Sequence, residues 1–135
     1  RDPMRALCLA LCLATGTTAL AADEPYGWAH CTAPEAGLSV TRCVAHVMAN
    51  CDASPDPASC LKTHREEWFR YDANATLGDA AAPDASGRLS LKALTDAIGR
   101  ATPDRSACAE TDAECLLREA IKRALGNHAL RVAGE

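Results

Sequence analysis

The chain has 135 residues, 48% hydrophobic, 24% charged and 4% aromatic, with 14 basic against 18 acidic side chains and a formal charge of −4. That length fits one domain able to bury its own core, and the shortage of rings leaves the core to Ala, Leu and Val. An acidic chain with no Lys/Arg run cannot neutralise phosphates, which excludes nucleic acid as a partner, while eight cysteines in so short a chain raise disulfides or a metal at once.

Near the N-terminus, Arg5 precedes an apolar stretch from Ala6 to Ala14, and the small residues Ala19 and Ala21 stand ahead of Asp23. This is the pattern of a secretory signal peptide cleaved after Ala21, with Arg1, Asp2 and Pro3 as an N-terminal scar. The apolar stretch is far shorter than the ~20 residues of a spanning helix, so no membrane anchor is expected. Cys8 and Cys12 both follow Leu, against the small residue that lipid attachment requires. Residues 1–21 are thus expected to be leader and 22–135 a single exported domain, periplasmic or secreted. The exported part carries 12 basic and 17 acidic residues, a net charge of −5.

Six cysteines remain in it: Cys31, Cys43, Cys51, Cys60, Cys108 and Cys115. An even number in an exported chain predicts three disulfides. No C-x-x-C occurs for zinc and no C-x-x-C-H for haem, so no cofactor or metal is expected.

Downstream, Val40, Cys43, Val44, Val47, Met48 and Cys51 recur at helical spacing behind Ser39 as N-cap, predicting a first helix with one buried stripe. Asp56-Pro57 is an N-cap with proline at the first helical position, opening a second helix over 57–77 with the stripe Leu61, His64, Trp68, Tyr71 and Ala75. Residues 78–87 lack periodicity. Ser90 caps a third helix carrying Leu91, Leu94 and Ile98, which Gly99 and Pro103 are expected to stop. Thr111 with Glu114 forms a capping box for a fourth, carrying Cys115, Leu116, Ala120, Ile121 and Ala124, ended or interrupted at Gly126-Asn127. No strand-length alternation occurs, so the fold class is all-α: a small four-helix, disulfide-stabilised domain, expected to be monomeric. All five aromatics lie before residue 72, placing the best-packed core in the first hairpin. Cys51 closes the first helix and Cys60 opens the second, so an antiparallel hairpin brings them within disulfide reach. The other four cysteines are left unassigned among the 15 pairings six allow.

Catalytic patterns are missing. His30, His46, His64 and His128 stand without G-x-S-x-G, H-E-x-x-H or paired carboxylates, which argues for binding rather than catalysis, and no enzyme is expected. His46 reads as solvated and His64, four residues before Trp68, as a hydrogen-bonded core-edge residue; the spacing of His30, His46 and Met48 gives no positive reason for copper.

In the second helix, Cys60-Leu61 stands eight residues before Trp68, the basic Arg65 shortly before that Trp, and Tyr71-Asp72 just after it. In these details the segment resembles the LprI-like lysozyme-inhibitor family of small exported helical proteins. Cys43 and Cys51 upstream, and Cys108, Cys115 and the helix over 116–125 downstream, extend the resemblance to residues 40–125. It departs where the family often has Arg-Asp after the aromatic and a Cys just beyond: here Tyr71 meets Asp72 directly and Asn74 replaces the Cys. The residues 78–88 form an Ala/Pro-rich insert. The resemblance implies inhibition of a peptidoglycan-cleaving muramidase, with a cationic lysozyme as partner and Arg65, Trp68, Tyr71 and Asp72 as the motif. Helical spacing alone assigns Trp68 and Tyr71 to the core, and makes Arg65 and Asp72, seven apart on one face, a solvated or structural pair.

Residues 84–94 also resemble the second half of an EF-hand loop. A working loop needs Asp at position one and a bidentate Glu at twelve, where this chain has Ala82 and Ala93. Calcium held by Asp72, Asn74, Asp84 and Ser86 would demand about ten extra residues in the turn, so no stabilising calcium site is expected. A degenerate EF-hand or structural envelope module is the alternative to inhibition.

Overall fold

A computed structural model describes residues 23–102 and 107–134. The signal-peptide assignment and Pro103 lie outside the described residues. The described chain is all-helical: α1 (Trp28–Thr32), a 3-10 turn (Pro34–Ala36), α2 (Val40–Asp52), α3 (Pro57–Ala80), α4 (Leu91–Ala101) and α5 (Ala113–Ala133). The four expected helices are present, and α1 is an addition. Among the described residues no helix is long and apolar enough to cross a membrane.

The helix starts follow the sequence closely. Ser39 accepts from the Arg42 N–H, Asp56 from Ser59 with Pro57 behind it, and Ser90 from Ala93. The fourth expected start is displaced by one residue. Asp112, not Thr111, caps α5, its carboxylate accepting from the Cys115 N–H at 3.1 Å. A charged acceptor at a helix N-terminus gains from the macrodipole as well as the hydrogen bond, which favours Asp over the neighbouring Thr. Gly126 does not end α5, which continues to Ala133 because Leu125 and Asn127 are buried on either side of it. The 24-residue α3 outruns its expected end at 77 by three residues.

The core gathers Trp28, Cys31, Cys43, Val44, Val47, Trp68, Leu117, Ile121, Ala124 and Leu125. The long helices α3 and α5 share the most extensive interface, and α2 packs across both. Trp28, on the short α1, enters between them: its ring lies 5.5 Å from Trp68, 4.7 Å from Tyr71 and 5.1 Å from His128. The first hairpin does hold the ring-rich core, although Tyr26 and Phe69 are exposed. Gly27, at φ +86°, makes the entry into α1 possible. A Cβ there would come within 3.2 Å of both His46 and Val47, and a side chain would resist the left-handed backbone as well.

The large apolar residues of α4 do not form its docking face. Leu91 is 80% and Ile98 57% exposed, Leu94 is half-buried, and the helix docks through Ala97 and Ala101. Small side chains bring its backbone near α3 and α5, where Arg123 donates to the carbonyls of Gly99 and Arg100 at the C-terminal end. That end falls at Ala101, two residues past Gly99 and just before the residue preceding proline, where helical backbone is disfavoured.

Among the described residues the disulfides are Cys31–Cys43, Cys51–Cys60 and Cys108–Cys115. The expected Cys51–Cys60 pair is present and the open connectivity is resolved in favour of neighbours. Three such bonds belong to a chain folded in an oxidising compartment. The bonds join residues 12, 9 and 7 apart. Loops of this length remove about 2–3 kcal/mol of unfolded-chain entropy each in the loop-closure account. Changing both Cys31 and Cys43 to Ser should therefore cost about 2–3 kcal/mol in denaturant unfolding, and a cost near zero would place that link outside the folding unit.

Candidate functional site

The α3/α5 interface opens on one side into a groove of about 430 Å³. Arg65, Glu66, Phe69 and Asp72 reach it from α3, and Leu116, Glu119, Ala120 and Arg123 from α5, with Cys108 and Glu110 from the segment before α5. The lining follows from helical period: 65, 69 and 72, like 116, 119, 120 and 123, recur every three or four residues and so share a face.

Asp72 forms the floor. It is 1% exposed, yet its carboxylate is fully engaged. The Asn127 amide donates to both oxygens at 3.1 and 3.2 Å, Thr76 donates its hydroxyl at 3.2 Å, and Arg131 stands 4.0 Å away while donating to the Thr76 hydroxyl at 3.1 Å. Asn127 also donates to the Arg100 carbonyl at 3.3 Å, so one polar network ties α3, α5 and the end of α4 together. Burial pushes the Asp72 carboxyl above its ordinary range, and the Asn127 and Thr76 hydrogen bonds with the Arg131 and Arg123 charges pull only part of the way back.

The four motif residues divide into two groups. Trp68 is fully buried and donates its indole N–H to the Tyr26 carbonyl at 3.1 Å; Tyr71 is half-buried against Trp28. Both belong to the core, as their spacing indicates. Arg65 and Asp72 do line one groove, but Asp72 is not solvated, and its cation is Arg131 rather than Arg65. Seven helical residues rise about 10 Å, so Arg65 and Asp72 share a face without meeting.

Sequence reasoning missed Asn127, Thr76 and Arg131. Thr76 continues the four-residue steps Trp68, Asp72, Thr76, and Asn127 falls three residues after the buried Ala124, so both stand on core-facing stripes. A polar residue on such a stripe is the available signal for a buried network.

A second polar cluster covers the α1/α2 face. His30 and His46 do not stand singly: their rings stack at 3.9 Å, and Tyr26 lies 5.5 Å from His46 and 5.2 Å from His64. His46, expected to be solvated, is half-buried in this stack. Burial, then the neighbouring His30, lowers its pKa below the ordinary histidine value. His64 is the expected core-edge residue, 9% exposed with Nε2 3.0 Å from Asn50 Oδ1.

The four residues considered for calcium are not brought to one point. Asp72 turns its carboxylate onto α5, and Asn74 is exposed on α3. Asp84 Oδ1 accepts from the Ser86 N–H, the Ser86 hydroxyl and the Arg88 N–H within its own loop. Those bonds, led by the Ser86 hydroxyl, hold the Asp84 carboxyl below its usual range. The loop thus satisfies its own carboxylate, with Gly87 at φ +79° completing the turn.

Compared with family models, with curated proteins and with solved structures, the chain matches none.

Proposed function

We propose that the protein is an exported binding protein, periplasmic or secreted, that inhibits a peptidoglycan-cleaving muramidase. The observation that carries a binding role is the α3/α5 groove, an open concavity with the half-exposed Phe69 in its wall and Glu66, Glu110 and Glu119 at its edge. A concave apolar surface on which three glutamates outnumber Arg65 and Arg123 suits a protruding loop of net positive charge better than a phosphate or a flat apolar face. The choice of muramidase rests on the resemblance of residues 40–125 to the LprI-like family, and the net charge of −5 on the exported part would steer a basic enzyme toward the protein. Arg65 sits at the same edge as the one motif residue free to contact a partner, while Trp68, Tyr71 and Asp72 hold α3 in place.

Turbidity assays of peptidoglycan lysis by c-, g- and i-type enzymes test this reading. The protein should slow at least one of them, the effect weakening as salt rises. The double variant Glu66→Lys/Glu119→Lys should lose most of the inhibition while keeping its helical circular dichroism. Unaltered lysis by all three enzymes would count against inhibition and in favour of a structural envelope module.

A further inference from the structure

Among the described residues, one group of three potential metal donors converges: the sulfurs of Cys51 and Cys60 and a ring nitrogen of His64 lie within 4.8 Å of one another. The group arises from the same helical hairpin that makes the disulfide. Cys51 sits at the end of α2, Cys60 in the first turn of α3, and His64 one turn further along α3, on the same face as Cys60. His64 is buried, and its Nδ1 has no hydrogen-bond partner, a cost that native interiors seldom accept without a use. Nε2 is 3.0 Å from Asn50 Oδ1, whereas Glu67 Oε2 stands 3.6 Å from Nδ1, beyond hydrogen-bond reach. Asn50 thus fixes the ring through Nε2 and leaves the unbonded Nδ1 for a cation, the arrangement that supports metal-bound histidines.

We infer that Cys51, Cys60 and His64 form a zinc site that the disulfide keeps closed and that reduction opens. A dithiol reductant exchanges with the half-buried Cys60 sulfur: the Cys51–Cys60 bond breaks, two electrons and two protons pass to the pair, and the reductant leaves as its own disulfide. Zinc then displaces both thiol protons, giving two thiolates and one imidazole around the ion. Freed from their bond, the sulfurs can part to the roughly 3.7 Å that two ~2.3 Å arms require in a tetrahedral site. The fourth position remains for water or for the half-exposed Glu67. Two soft sulfurs and an imidazole select zinc over calcium or magnesium. The hairpin would thus stay clipped in both states, by a covalent bond when oxidised and by a metal when reduced.

The test is zinc uptake by the full chain, reduced with a phosphine and transferred without oxygen, against a chromogenic chelator, with cobalt as the spectroscopic stand-in. The reduced protein should take up one zinc per chain, and its cobalt form should show an intense thiolate-to-metal band. The oxidised protein should take up none. Cys51→Ser/Cys60→Ser should abolish uptake, His64→Gln should weaken it at least tenfold and change the cobalt spectrum, and Cys108→Ser/Cys115→Ser should leave both unaltered. No uptake by the reduced chain, folded or unfolded, overturns the site. So does uptake that survives loss of Cys51 and Cys60, or a His64→Gln variant that binds zinc and cobalt as the parent does.

Discussion

Replacing Trp68 with alanine should cost about 3–5 kcal/mol, among the largest single losses open to a domain of this size. The ring is fully buried and packs against Trp28, so that with Tyr71 it joins α3 to α1. Its removal leaves a cavity that two disulfide-clipped neighbours, α1 joined to α2 and α2 to α3, restrict from collapsing. A fall in Tm of roughly 10–20 °C follows at ordinary unfolding entropies for about 100 residues. Trp68→Phe separates the contributions. It keeps much of the apolar area but leaves the Tyr26 carbonyl without the indole donor, and should lose less than half as much. Equal losses for the two variants in denaturant titrations would show that the hydrogen bond, not the burial, dominates.

Asp72→Ala should cost about 3 kcal/mol, through a different mechanism. Little volume is lost, but the Asn127 amide and the Thr76 hydroxyl lose their acceptor inside the protein, and Arg131 loses its counter-charge. Because Arg131 remains partly exposed, the loss should stay at the lower end for a broken buried pair. The pH dependence gives a second reading. The folded carboxyl titrates above its ordinary value of 3.8, so between that value and the raised one the native state holds more protons than the unfolded chain. Stability from this group is present in acid and is lost as pH rises through that window. Melts of the parent and of Asp72→Asn from about pH 3.5 to 7 should show the parent losing ground against the variant as pH increases. A constant gap across the range would mean that the network offsets the burial completely.

These two residues mark how far the sequence alone could be read. Trp68 lies four residues after His64 and three before Tyr71, and such spacing fixes a buried stripe without any knowledge of the partner helix. The starts of α2, α3 and α4 were equally legible, because Ser39, Asp56-Pro57 and Ser90 satisfy N–H groups within their own turn. Asp72 was legible as a position but not as a role: Asn127, which donates to both its oxygens, stands 55 residues away on α5, and no local rule pairs an Asp with a distant Asn. The short α1 was invisible because five residues are too few to display a period. The docking face of α4 was not legible because it is made by Ala97 and Ala101, while the larger Leu91 and Ile98, which dominate any apolar pattern, face outward. Of the candidate groove, Arg65 and Asp72 were recognisable from α3, whereas the α5 wall required the tertiary packing.

The placement of the three disulfides divides the molecule in a way that helix packing alone does not. Cys31–Cys43 and Cys51–Cys60 staple α1, α2 and α3 to one another, and Cys108–Cys115 links the segment before α5 to its first turn. None of them crosses from the first three helices to the last two. The exposed 81–90 loop is therefore the single covalent thread between an N-terminal piece ending at Ala80 and a C-terminal piece starting at Leu91. A protease that cuts this thread creates two polypeptides held by the packing of α4 and α5 on the first three helices, with the α3/α5 seam the most extensive part and the Asp72 network within it. The two pieces made separately should therefore reassemble without any covalent link, and the strength of that reassembly would report on the helix packing that contains the groove.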